Sequence, residues 1–226
     1  VVWPTEIGRV SLREQIAHSL RAALVAGRMV PGVLYSVPTL AQQFGVSATP
    51  VREAMLDLAK EGLVEPVRNK GFRVHELTDA ELDDITQLRA FLEIPALVDI
   101  ARVVDASDAD RLEPLAVAIQ DAAKSGDLLA YVEADRQFHV ELLGLLGNSR
   151  LVELVRSLRA QSRLYGLAEL AASGKLVESA QEHFELLDYL RRRDAAAVEQ
   201  LMRRHIGHVR GIWAARPEEQ RRPAVR

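Results

Sequence analysis

The run from Val37 to Val64 constrains this chain more than any other part of it. Leu40, Ala41 and Phe44 place an apolar stripe on a first short helix, and Gly45 supplies the positive φ that a tight helix exit needs. Ser47 or Thr49 caps a second helix that starts near Thr49, where Pro50 suits a first turn whose N–H has no partner anyway. Val51, Ala54, Met55, Leu58 and Ala59 fall at helical spacing. That spacing leaves Ser47, Thr49, Arg52 and Glu53 around an exposed N-terminal end, the part of such a helix that enters a DNA major groove. Two helices with a turn are a common unit, so this outline alone does not separate a DNA reader from an ordinary helical hairpin.

The flanking segments extend the unit. Leu12 to Ala26 reads as an earlier helix with Ser11 as its N-cap and Gly27 as its stop, and Pro31-Gly32 is the next turn. After Gly62 the period changes: Val64, Pro66, Val67, Phe72 and Val74 flank the polar turn Arg68-Asn-Lys-Gly71, which reads as a hairpin with Lys70 at its tip. A cation there meets phosphate or the minor groove, adding affinity that depends on salt more than on sequence. Three helices and a wing make a small domain over about residues 8 to 75.

This segment resembles the winged helix-turn-helix of GntR-family transcription regulators. The shared residues are Gly32, Leu40-Ala41, Gly45-Val46-Ser47, Thr49-Pro50-Val51-Arg52-Glu53-Ala54, Leu58, Glu61-Gly62-Leu63 and Gly71. The resemblance implies a double-stranded, palindromic operator as partner and Thr39, Ser47, Ala48, Thr49, Arg52, Lys70 and Gly71 as the DNA-facing set. One departure stands out, because the family usually has Arg where this chain has Ala48. Arg52 then becomes the main candidate for a bidentate contact with guanine, with Thr49 and Ser47 on phosphate or base edges.

At 226 residues, two domains are expected. Residues 1 to 75 hold nine Lys+Arg against six Asp+Glu, a balance of +3, which leaves 20 against 26, or −6, for the remainder. The positive segment is the one that faces DNA. Its excess is small, so two copies of the domain on a two-fold operator are expected, and hence a homodimer. Without cysteine there is no disulfide, iron–sulfur cluster or thiolate zinc site. No apolar run approaches a membrane span and the start has no basic stretch followed by an apolar one, so the expectation is a cytoplasmic protein with no membrane contact.

From Thr78 to about residue 215 only helices are expected, about six of them, with rough spans 79 to 104, 108 to 124, 128 to 146, 150 to 171, 177 to 193 and 195 to 215. The fold class is therefore mainly α: an N-terminal winged helix-turn-helix, and a C-terminal all-helical bundle over 78–215. Thr78, Ser107, Asp127, Ser149 and Asp194 sit where N-caps belong, and Gly147-Asn148 and Ser173-Gly174 where breaks belong. Pro95 predicts a kink in the first span. The tail 216–226, with two prolines and mixed charge, reads as disordered.

Asp135 and His139 are spaced i, i+4 and share a helix face with Phe138, Leu142, Leu143 and Leu146. His183 lies on the stripe of Leu187 and Leu190, and His205 on that of Leu201, Met202, Val209 and Ile212. Three histidines and a carboxylate therefore point at apolar faces that must pack together, and buried polar groups need partners. A divalent metal ion is one such partner: zinc first, with nickel, manganese or iron as alternatives. Hydrogen-bonded core histidines and a local Asp–His pair are the other reading. His208 reads as solvated or as a helper to the set.

The C-terminal part is similar to the all-helical FCD domain of the FadR subfamily. Arg89-Ala-Phe-Leu-Glu93 resembles its Arg-x-x-Leu-Glu element, Asp135-Arg-Gln-Phe-His139 its Asp-x-x-Phe-His element, and Asn148 follows where that family has Asn. Members with His at the positions of His183 and His205 bind a divalent metal through Asp-His-His-His, so the resemblance implies Asp135, His139, His183 and His205 as ligands. It also implies a small organic acid as effector and argues against fatty acyl thioesters. Arg89 either clamps that carboxylate or pairs with Glu93 along its own helix.

The function expected is a transcription regulator, a repressor in most of the family, whose operator affinity is lowered as the helical domain binds its small carboxylate effector. A metal-dependent enzyme using the Asp/His site is the rival, and a purely structural metal a third reading. No further nucleophile or Glu stands at a convincing spacing, so the chain is read as not an enzyme.

Overall fold

The computed structural model describes residues 11–162, 171 and 174–211, with side chains as far as Gly207. The disorder expected of 216–226, the helical stretch expected at 163–170, the break at Ser173 and the role of His208 lie outside the described residues. The chain divides into two compact units, Val1–Glu76 and Leu77–Arg226.

In the first unit α1 (Leu12–Val25) starts in a capping box: the Ser11 hydroxyl accepts from the Glu14 amide and the Glu14 carboxylate accepts from the Ser11 amide. α2 (Val37–Phe44) is capped by Ser36 and ends at Gly45 with φ 67, the left-handed exit expected. α3 (Ala48–Lys60) begins after Ser47, which makes no side-chain capping bond. Val51, Ala54, Met55 and Leu58 are fully buried against α1 and α2. Phe44, read as part of the buried stripe of α2, is instead 36% exposed. With a helix of only eight residues, its last turn overhangs the core.

The wing is more than the expected hairpin. β2 (Val64–Val67) and β3 (Gly71–Val74) pair antiparallel, and a two-residue β1 (Leu34–Tyr35) pairs with the outer side of β3, giving the order β1-β3-β2. So short a strand leaves no period for sequence reasoning to find. It explains Gly71, whose φ is 134 and where a Cβ would collide with the Tyr35 carbonyl oxygen. Asn69 takes the left-handed conformation in the turn, φ 58.

The described part of the second unit is all helical: α4 (Asp79–Val103), α5 (Ala106–Ser125), α6 (Leu128–Gly144), α7 (Ser149–Ser162), α8 (Lys175–Arg191) and α9 (Ala195–Gly211). Thr78 and Glu81 form the capping box of α4, which continues through Pro95. Two caps differ from expectation. α5 is capped by Asp105 in a box with Asp108 and not by Ser107, whose hydroxyl donates to the Asp105 carboxylate at 2.5 Å. The Asn148 side chain, and not Ser149, accepts from the Leu151 amide at 3.1 Å to start α7. A carboxylate or amide oxygen one or two residues upstream is the better acceptor for the first free amides. Asp127 and Asp194 cap α6 and α9 as expected. α5 packs on α6 and α8, and α4 on α7 and α9, so the inner faces of α4, α6, α7, α8 and α9 converge. No described helix is long and apolar enough to cross a membrane.

Candidate metal centre and DNA-reading face

The converging faces are not purely apolar. Among core residues such as Leu97, Phe138, Leu142 and Leu187, the second unit buries Arg89, Glu93, Asp135, His139, Arg159, Ser162, Ser179, Glu182, His183 and His205. Four of these come together as expected. One ligand atom from each of Asp135, His139, His183 and His205 lies within 4.8 Å of the others, and all four residues are buried. His139 Nε2 and His183 Nε2 are 3.2 Å apart, and Asp135 Oδ1 is 3.3 Å from His183 Nε2 and 3.9 Å from His139 Nε2. Two ligands each about 2.0–2.2 Å from a common ion stand about 2.8 to 3.6 Å apart at right or tetrahedral angles, so the two separations to His183 Nε2 fit one cation and the 3.9 Å between Asp135 and His139 needs a wider angle at the ion.

The far end of most of the ligands is held. His183 Nδ1 lies 3.2 Å from the Ala180 carbonyl and His205 Nδ1 lies 2.8 Å from Glu182 Oε2, so each ring presents Nε2 inward when Nδ1 carries the proton. Asp135 Oδ2 accepts from Arg159 at 3.1 Å, leaving Oδ1 to the centre. His139 Nδ1 is buried without a hydrogen-bond partner among the described residues. Burial, followed by the charge of Arg159, holds the His139 imidazolium well below its ordinary range. Burial likewise pushes His205 down to about 4, against the opposing hydrogen bond that its ring donates to Glu182. Both rings are thus neutral near pH 7, the form that binds metal. A nitrogen-rich donor set with one carboxylate, all neutral but one, fits a divalent transition metal and does not fit magnesium or calcium.

Sequence reasoning missed the support around this set. Arg159 donates through Nε and Nη2 to Glu93 Oε2 at 3.1 and 2.7 Å and through Nη1 to Asp135. Arg89 donates to Glu93 Oε1 at 2.7 Å and to the Ser162 hydroxyl at 3.3 Å. The pairing of Arg89 with Glu93, one of the two readings left open, is therefore present. Burial raises the Glu93 carboxyl, but the two guanidiniums outweigh it and bring it down to about 2. Glu182 is itself tied to Arg204 at 2.8 Å. Arg159 carried no signal in sequence, since one of three arginines on a mostly polar helix reads as surface. Glu182, next to His183, could have been found by asking what fixes the His205 ring.

In the first unit Thr39, Ser47, Ala48, Thr49, Arg52 and Lys70 are exposed and Gly71 is half-buried. The charge on the rest of the unit is partly spent internally. Arg13 forks onto Asp57, Arg21 binds Glu61 and Arg73 stands 3.5 Å from Glu65. Arg52 at the start of α3 and Arg68 and Lys70 in the wing have no ion-pair partner among the described residues. Arg68 is a wing cation that the sequence reading had not singled out.

A three-helix head with a wing, followed by a helical domain with a buried Asp-His-His-His cluster, defines a class of DNA-binding regulator. Residues 12–74 match the gntR family of bacterial regulatory proteins and residues 84–208 match the FCD domain. The chain belongs to the GntR family of transcription regulators and carries an FCD domain. It is 29% identical over 187 residues to the HTH-type transcriptional regulator McbR of Escherichia coli K12, covering 82% of this chain and 85% of McbR. It is 25% identical over 202 residues to the HTH-type transcriptional repressor RspR of the same strain, covering 88% and 87%. The solved structure of E. coli McbR/YncC superposes with a TM-score of 0.69 at 26% identity, covering 88% of this chain and 94% of that one. These relatives are regulators, and DNA-binding transcription regulation is the activity of this chain.

Proposed function

We propose that this regulator is a homodimeric, cytoplasmic repressor whose operator affinity is set by a small organic acid bound at a metal ion in the helical unit. The observation that carries the reading is the burial of Asp135, His139, His183 and His205 with one ligand atom of each within 4.8 Å of the others. Asp135, His139, His183 and His205 are the ligands, with zinc the first candidate. On an ion of octahedral geometry four protein ligands leave one or two positions open to water or a carboxylate. A structural ion alone would not need them.

In the head, residues 8–75, Arg52 reads a guanine, Ser47, Ala48, Thr49 and Thr39 line the DNA-facing end, and Lys70 with Gly71 brings the wing to the backbone. Ala48 offers a methyl where the family usually has a guanidinium. In the second unit, 78–215, Arg89 reaches an effector only by sharing or giving up Glu93. An effector that prefers one state of the dimer changes operator affinity by that difference in binding free energy.

The test is operator binding by the purified chain, followed by fluorescence anisotropy on palindromes from upstream of its own gene, with and without zinc and small carboxylates. Salt-sensitive, sequence-selective binding that a carboxylate alters only in the zinc-loaded protein is the expected result. Sequence-selective binding that no carboxylate alters leaves the head as read and removes the sensor. Consumption of the carboxylate would instead favour catalysis.

A further inference from the structure

Resting on the homodimer proposed above, the outer face of α4 says how two copies meet. The inner face of this helix, with Leu82, Ile85, Ile94, Leu97 and Ile100, belongs to the core of the second unit. Its outer face is apolar as well: Leu88 is 48% and Phe91 66% exposed, Pro95 is exposed and Val98 is half-buried. A helix that is apolar on two faces is one that is covered on both. Leu88, Phe91, Pro95 and Val98 follow one another at steps of three, four and three, the alternation of a seam between two helices. A further step of four in either direction reaches Asp84 at one end and Arg102 at the other, both exposed.

We infer that α4 pairs antiparallel with α4 of a second copy, about a two-fold axis at the level of Glu93. Asp84 and Arg102 lie nine positions either side of Glu93, Leu88 and Val98 five, and Phe91 and Pro95 two. Such an axis sets Phe91 against the second copy's Pro95, Leu88 against its Val98 and Asp84 against its Arg102, in both directions at once. That is the self-complementarity a two-fold interface requires. Gln87 and Asp99, six positions either side, face each other in the same way. Parallel pairing would instead put Asp84 on Asp84 and Arg102 on Arg102, and like charges opposed across an interface are strongly unfavourable. Arg102 has Asp99 at 3.0 Å on its own helix, and the two side chains are still 65% and 63% exposed. A guanidinium with five donors can hold a second carboxylate beside the first.

The experiment uses the full chain, which has no cysteine of its own. Leu88→Cys and Val98→Cys are made in separate chains and oxidised alone and after co-expression. The co-expressed pair forms an interchain disulfide and neither variant alone does, because a residue five positions from the axis stands about 15 Å along the helix from its own mate, beyond disulfide reach. A disulfide in either variant alone, at the yield of the mixture, overturns the antiparallel register. In sedimentation equilibrium Phe91→Asp raises the dimer dissociation constant about thirtyfold or more with its helix content unchanged. Asp84→Arg weakens the dimer and Asp84→Arg/Arg102→Asp restores it; a double variant no tighter than the single one overturns the ion pair. A wild-type dimer that gives no mixed disulfide and whose dissociation constant Phe91→Asp does not move overturns this surface and leaves the homodimer reading intact. A wild-type chain that stays monomeric at micromolar concentration and on its operator overturns both.

Discussion

His139 and His183, 44 positions apart in sequence, bring their Nε2 atoms to 3.2 Å from one another, and both side chains are buried. Two ring nitrogens this close either share a proton in an N–H···N hydrogen bond or hold a cation between them.

Chelation should therefore loosen the second unit. Zinc at a hundred times its dissociation constant stabilises the folded state by about 2.7 kcal/mol. The melting temperature should fall by several degrees when protein is stripped with chelator and recover with zinc. His183→Ala should melt at one temperature with or without metal. A metal-dependent shift that survives in His183→Ala, read by differential scanning calorimetry, would remove that residue from the ligand set.

Glu93 holds two buried guanidiniums, and removing its charge leaves both uncompensated. Glu93→Gln should lose about 3–5 kcal/mol of stability in urea unfolding, the range for breaking one side of a buried ion pair. A loss below about 1 kcal/mol would mean that the pairs are matched by other groups.

Acid should act on the same residue. The Glu93 carboxyl is held at about 2 when folded, against an ordinary 4.5. A lowered folded value favours the native state in full above the unfolded value, and that contribution is lost as pH falls through 4.5 toward 2. Wild-type protein should lose stability over this window more steeply than Glu93→Gln, measured as the melting temperature against pH in chelator. Equal slopes would show that Glu93 does not titrate between the two states.

In the head, Arg52→Ala should remove operator selectivity, costing about 1–3 kcal/mol at the guanine it reads. Lys70→Ala should weaken all duplexes alike and lower the slope of log affinity against log salt by about one. Retained selectivity in Arg52→Ala, by anisotropy on matched and mismatched operators, would move the reading to another residue of α3.

Gly71→Ala should damage the wing for two reasons, the φ of 134 and the collision with the Tyr35 carbonyl. The expected result is weaker binding to every duplex with the metal response of the second unit unchanged. Affinity equal to wild type would show that β1 yields to the added methyl.

Much of this was legible in the residues themselves. Gly45, Ser11, Thr78, Asp127 and Asp194 are local signals, because a cap or a left-handed exit involves neighbours within one turn. Helical spacing likewise placed Val51, Ala54, Met55 and Leu58 inward, and Asp135 and His139 on one face. Composition and spacing also gave the two units and the positive head. β1 was not legible, since two residues have no period and pair only with a strand more than 30 positions away.

What tertiary structure alone decided is which buried groups meet. Sequence put a histidine on each of three helices, but the bundle brings Arg159 of α7 between Glu93 of α4 and Asp135 of α6, and Glu182 of α8 onto His205 of α9. Those partners are fixed by how five helices pack, not by any spacing along one of them. The physical reason lies in burial: a charge removed from water must find its partner wherever packing places one, so the site's net charge is a property of the folded core.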